Sequence, residues 1–334
     1  MMISKGCDDP QLRDVDTEFR EVLTSMLPMV RASVVSRRRF FHSRSTTLRG
    51  GIRVLEDPDL PEHGFFRPGR RFDVIARYAN GYGTDDIAPA VRGLTLRLVE
   101  NARTTDGLLD LPLNTGECFY VPTADAFRRA QHDGPERDDL LRRNPHYRDV
   151  IWRSVRRPTS FTTYRYYSQA PTCFVDTAGA LSFARYRVLP GPGQGGSQDR
   201  SAVSPAGMWM PPHPPNTLSR DPDDRRPRSY LHDDLRYRVL TAPVQGLLQV
   251  QLHPGEDGDA ALDATRPWPE RWRDLAEFSL DRLMDDELVE PLRFSPATAP
   301  PELGIALARS PHENASLNHL RALVYHLASS ARIT

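Results

Sequence analysis

Arg321-Ala322-Leu323-Val324-Tyr325 sits inside residues 315–331, the most regular helical stretch in the second half of the chain. Leu317, Leu320, Val324, Leu327 and Ala328 recur there at the spacing of one helix face, which predicts an amphipathic helix with one side buried. Arg321 and Tyr325 are four residues apart, so they share a side, and a guanidinium there can reach the phenol oxygen. Near the other end of the chain stands Arg39-Phe40-Phe41-His42. No local motif joins the two segments. They can cooperate only if the last helix folds against the first strand, so pairing them is a statement about the whole fold.

Composition bounds that fold. The 334 residues, 39% of them hydrophobic, suffice for one domain with a core that excludes water. Lys+Arg and Asp+Glu balance at 44 each, which removes the electrostatic case for nucleic acid or a membrane surface and points to small-molecule partners. Cys7, Cys118 and Cys173 are spaced like neither a zinc cluster nor a disulfide framework. The first nine residues lack an apolar signal core, and no run approaches the roughly 18 apolar residues of a membrane span. The expectation is a cytoplasmic, unexported protein.

Outward from the two segments, the chain reads as a single domain over 1–334. An N-terminal helical arm covers 1–35, with Phe19, Val22, Leu23, Met26, Leu27 and Val30 at helical spacing over 14–35. Strand patterns follow within 36–189, at Gly51–Leu55, Phe72–Tyr78, Gly93–Val99 and Cys118–Val121. Residues 123–156 read as helical, with a strand pair from Thr172 to Leu189. The Pro- and Gly-rich stretch 190–228 is expected to be a wrapping loop that could embrace a neighbouring subunit in a homo-oligomer. Its Gly191-Pro192-Gly193-Gln194-Gly195-Gly196 mimics a dinucleotide fingerprint, but no helix follows to receive a pyrophosphate. Residues 229–334 hold a helix at Ser229–Leu240, a strand at Val244–Leu252 and the final helix. The class is α+β, an antiparallel sheet or barrel surrounded by helices.

In these segments the chain resembles the heme-catalase superfamily, especially its shorter branch of catalase-related peroxidases and allene oxide synthase-like proteins. The resemblance runs from about residue 36 to residue 332. It implies a catalase-like antiparallel β-barrel, with heme between the barrel and the C-terminal helix. It makes His42 the distal acid/base and Asn114, in Leu113-Asn114-Thr115-Gly116, the distal asparagine. Arg39, Arg77 and Arg332 become propionate partners, Phe41 and Phe127 pocket walls, Arg321 the proximal arginine and Tyr325 the metal ligand. The cofactor implied is heme b, its ferric iron bound by an axial tyrosinate. Tyr166-Tyr167-Ser168-Gln169-Ala170-Pro171 also looks like a recurrent segment of the smaller members.

The chemistry agrees with these roles. A phenol ionises near pH 10, so a tyrosinate ligand needs the ferric ion and a neighbouring cation such as Arg321. A histidine can take a proton from one peroxide oxygen and deliver it to the other. Taken singly, each residue has a plainer role: Tyr325 as a core tyrosine, His42 as a buried structural histidine, Asn114 as a turn residue, Arg77 and Arg92 as strand-edge charges.

Two departures bear on function. Catalases carry a serine two residues after the arginine matched by Arg77, where it orients the distal histidine; here Ala79 stands there. Before the histidine, where valine or threonine is usual, this chain has Phe41. The expectation is an enzyme that uses hydrogen peroxide or an organic hydroperoxide to oxidise or rearrange a small organic substrate. Catalase-type dismutation, a non-catalytic heme sensor or carrier, and a heme-free scaffold are the alternatives.

Overall fold

The computed structural model describes residues 1–36, 39, 41–81, 85–131, 134–193, 201 and 219–333, the side chains of 331–333 excepted. In chain order its strands are β1 (Met2–Ile3), β2 (Ser45–Val54), β3 (Arg71–Asn80), β4 (Ala90–Val99), β5 (Leu109–Thr115), β6 (Val155–Arg156), β7 (Tyr166–Tyr167), β8 (Thr172–Val175), β9 (Leu181–Pro190), β10 (Val244–Pro254), β11 (Arg273–Leu283) and β12 (Ala306–Leu307). Its helices are α1 (Thr17–Ser25), α2 (Leu27–Ser36), α3 (Ala124–Gln131), α4 (Pro135–Arg143), α5 (His146–Ser154), α6 (Tyr230–Thr241), α7 (Asp286–Val289) and α8 (Ser316–Ile333).

Strand alternation builds the barrel. On β4, Leu94, Leu96 and Leu98 face one side with Val74 and Tyr78 of β3 and Leu111 and Leu113 of β5, all buried in one cluster. Each fully buried leucine contributes about 2 kcal/mol of transfer free energy. The sheet runs β10-β11-β2-β3-β4-β5-β7-β9, and the pairing of β9 with β10 closes it into an eight-stranded antiparallel barrel. Closure removes the sheet edges, and the apolar side chains fill the interior. The other residues of the same strands, Arg77, Ala79, Gly93, Thr95 and Asn114, point to the opposite side and define an outer wall.

Helices cover that wall. Phe19, Val22 and Met26 of the N-terminal arm pack with Ala124 of α3 and Leu320 and Leu323 of α8, while α3, α4 and α5 join through Ala130, Leu140, Ile151 and Trp152. The anchoring of α8 is polar. His319 Nε2 donates to the Leu12 carbonyl at 2.6 Å, and Nδ1 accepts from the Ala308 N–H at 3.2 Å. Burial lowers the pKa of this imidazole, which suits the neutral tautomer these bonds require. Asn318 Nδ2 donates to the Pro171 carbonyl at 2.7 Å.

Two expectations need correction. Residues 14–35 form two helices, α1 and α2, because the chain turns at Met26 and Pro28 begins a new helix. Cys118–Val121 is not a strand; the strand is β5, which ends where Gly116 takes φ 92° beneath the crossing Ser154. Burial on both sides of 118–121 mimics strand alternation. β11 closes the barrel between β10 and β2 without having stood out in the sequence. Most of 190–228 lies outside the described residues. Among the described residues, no helix is long and apolar enough to cross a membrane.

Candidate active site

Between the outer wall and α8 lie three adjoining cavities, the largest of about 170 Å³. His42 and Tyr325 border all three. The α8 residues Arg321, Val324, Tyr325 and Ala328 stay half-buried toward this space instead of packing onto the barrel. The folding expectation is met: the last helix runs beneath the segment that leads into the first barrel strand.

His42 is fixed mainly through its backbone. Its N–H donates to the Gly81 carbonyl at 3.1 Å, and its own carbonyl accepts from Arg77 Nη2 at 2.5 Å, holding it at φ 55°. Its ring lies over Gly93, which pairs with Ala79 on β3 and with Asn114 on β5. Burial first, and the Arg77 guanidinium next, push the imidazole pKa down to about 3. His42 is therefore neutral at physiological pH and able to accept a proton. The Asn80 backbone opposes that shift, yet Nδ1 is buried and makes no hydrogen bond of normal geometry. Ser45 registers directly opposite Ala79, but no hydrogen bond joins it to His42. The missing serine is not replaced from the neighbouring strand.

Asn114 borders the largest and smallest cavities. Its Nδ2 donates to Gln169 Oε1 at 3.2 Å. Gln169 is the fourth residue of Tyr166-Tyr167-Ser168-Gln169, a segment that resembles the smaller family members, and nothing in the sequence beyond that segment marks its role. Phe41 and Phe127 border the largest cavity with Met26, Met29, Phe119 and Leu320. Among the described residues of that lining, Arg321 is the only permanently charged side chain.

On the α8 side Arg321 and Tyr325 share a cavity wall as their spacing predicts. Arg321 Nη1 donates to Asn318 Oδ1 at 2.9 Å, and no hydrogen bond joins Arg321 to Tyr325 directly. Arg39 and Arg77 meet at the second cavity, beside Phe294 and Tyr325. Arg39 is heavily engaged there: Nη1 donates to Glu290 Oε2 at 3.0 Å, and Nη2 to the Leu292 carbonyl at 2.9 Å. Arg92 borders none of the three cavities. It is buried and donates to Asn80 Oδ1 and to the Asp86 and Ala88 carbonyls, so it is a structural group and not a strand-edge charge. The Arg332 side chain lies outside the described residues.

No family model matches the chain. It is similar to the allene oxide synthase-lipoxygenase protein of Plexaura homomalla, 30% identical over 301 residues that span 86% of this chain and 27% of that protein. It is also similar to linolenate 9R-lipoxygenase of Nostoc sp., 29% identical over 332 residues, 95% of this chain and 42% of that protein. The chain thus spans less than half the length of either. The uncharacterized protein y4iK of Sinorhizobium fredii is 30% identical over 232 residues, 66% of this chain and 96% of that protein. Among solved structures, a fungal catalase matches with a TM-score of 0.64 at 16% identity, over 89% of this chain and 59% of that one. Catalase A from Saccharomyces cerevisiae gives the same TM-score and identity, over 89% and 61%. At that identity the likeness is one of fold.

Proposed function

This chain belongs to the catalase-related superfamily, in its shorter branch, and from that premise we propose that it is a heme enzyme acting on an organic hydroperoxide. The observation that carries the reading is that His42 and Tyr325 line the same three cavities. The residues fit heme: a phenol for the iron, Phe41 and Val324 as apolar walls, and Arg39 and Arg77 gathered at one end for carboxylates. Heme b with ferric iron, when bound, supplies the redox centre at which a peroxide O–O bond is cleaved.

The protein's own groups handle protons and position. Tyr325 would bind the iron through its phenolate, with Arg321 on the same cavity wall. Neutral His42, its Nδ1 buried, can take the hydroperoxide proton on Nε2 and return it to the departing oxygen. Asn114 would orient the peroxide through an amide N–H. Arg39 would engage a propionate while keeping its bonds to Glu290 and the Leu292 carbonyl, or by exchanging the Glu290 carboxylate for it.

The cavity favours an organic tail over hydrogen peroxide alone. Met26, Met29, Phe119, Phe127 and Leu320 offer apolar surface that hydrogen peroxide does not need. The names of two relatives, allene oxide synthase-lipoxygenase and linolenate 9R-lipoxygenase, agree with a fatty-acid hydroperoxide as the substrate to be rearranged or used as oxidant. A non-catalytic heme carrier is the second reading, and the unpartnered Nδ1 of His42 favours it.

The deciding experiment is the absorbance spectrum of heme-loaded wild type and Tyr325→Phe, followed by turnover with hydrogen peroxide, cumene hydroperoxide and a linolenate hydroperoxide. The expected result is a Soret band altered by Tyr325→Phe and consumption of the lipid hydroperoxide. Identical spectra would overturn the ligand assignment. Hydrogen peroxide dismutation near the diffusion ceiling, without organic turnover, would overturn the function.

A further inference from the structure

His42 at φ 55° and Gln169 at φ 63° are the non-glycine residues with positive φ among the described residues, and both border the largest of the three adjoining site cavities. A left-handed backbone under a long side chain is costly and persists where the surroundings enforce it, commonly at working sites. His42 already has a role there. Gln169 does not.

The hydrogen bonds of Gln169 indicate one. Its side chain is buried, and Nε2 donates to the Gly116 and Cys118 carbonyls, each at 3.1 Å, with the Thr115 carbonyl at 3.4 Å. Both of its N–H groups are therefore spent on the turn that follows β5. A flipped carboxamide would set Oε1 against these carbonyl oxygens, so the orientation is fixed and Oε1 faces Asn114. Oε1 can only accept, so Asn114 must present Nδ2 to it, as it does at 3.2 Å. The Asn114 amide is thereby locked as well: one N–H is engaged, and the other is left with no partner among the described residues.

We propose that Gln169 is a positioning residue of the distal site, whose carboxamide orients the Asn114 amide and keeps its second N–H available to the cavity shared with His42. It holds the turn that follows β5 and the Asn114 amide at the end of that strand through one side chain. The inference rests on the heme reading only for what that N–H acts upon.

The test pairs Gln169→Gly with Asn114→Ala and the double variant. Glycine suits the left-handed backbone and removes only the side chain, so the fold should survive. Cyanide binding to the ferric heme protein, followed by the Soret shift, reports donation from Asn114. Gln169→Gly should weaken cyanide about two- to tenfold, the range of one hydrogen bond, and should have no further effect in the Asn114→Ala background. Equal losses in both backgrounds, or no loss in either, would overturn the proposal. In the isotope-labelled chain prepared without heme, Gln169→Gly should speed hydrogen exchange of the Asn114 side-chain amide several-fold, and an unchanged rate would overturn it too. A chain that takes up no heme would defeat the heme reading and leave this amide measurement to decide the role of Gln169.

Discussion

Gly93 lies directly under the His42 ring: a β-carbon there would come 2.4 Å from Cε1 and 2.6 Å from Nδ1. The His42 ring rests on bare backbone, and the absence of a side chain at that register position sets its height above the wall. Gly93→Ala should displace the ring. A shift on the order of 1 Å at a reacting group costs roughly 10²-fold in rate. Hydroperoxide turnover should fall by about that factor while the Soret band stays, because α8 is untouched; unchanged turnover would refute the contact.

Ala79 offers the reverse experiment. It borders the third cavity with His42 and Gly93, and Nδ1 of His42 lacks a hydrogen bond. Ala79→Ser supplies a hydroxyl there. A hydrogen bond worth about 1 kcal/mol would raise hydrogen peroxide dismutation by roughly fivefold, measured by oxygen evolution. No gain would mean that the orphan nitrogen does not limit turnover.

His232 makes stability depend on pH. Its Nδ1 lies 2.9 Å from Thr46 Oγ1, and Nε2 is 3.6 Å from Asp86, too far for a hydrogen bond. Burial, reinforced by Arg44, holds its pKa down at about 3 against an ordinary 6.5. Between these values the unfolded chain binds a proton that the folded chain refuses, so stability rises with pH. This contribution is full above about pH 6.5 and is lost as pH falls toward 3. His232→Gln should flatten the fall in Tm between pH 6.5 and 4, and an unchanged slope would exclude the assignment.

Arg97 and Asp110 form a buried pair at 2.7 Å, and the second Asp110 oxygen accepts the Ser295 N–H at 2.9 Å. Through them the barrel wall holds the segment carrying Phe294, whose ring lies under both Arg39 and Arg97. Asp110→Asn leaves Arg97 buried without its counter-ion and should cost about 3 kcal/mol in urea unfolding. Heme retention should weaken with it, since Arg39 loses its platform. A loss below about 1 kcal/mol would show the pair to be replaceable.

The strands and helices that can be read from residue spacing are those whose two sides meet different surroundings. Leu94, Leu96 and Leu98 alternate with Thr95 and Arg97 because one face enters the barrel core. Cys118–Val121 misleads because helices and wall bury it from both sides. The polar commitments of the site were less legible. Arg39 to Glu290 spans 251 positions and Asn114 to Gln169 spans 55, and no period in the chain marks either pair.

By itself the sequence determined that Arg321 and Tyr325 share one side of a helix, because a helical turn of 3.6 residues places them there whatever surrounds it. It also determined which strand residues are apolar enough to fill a barrel. Tertiary structure alone decided that His42 lies on Gly93 with Nδ1 unpartnered, that Arg39 is held by Glu290, and that Gln169 locks Asn114. Those relations depend on strand register and barrel closure, where a shift of one residue would turn every side chain to the opposite face.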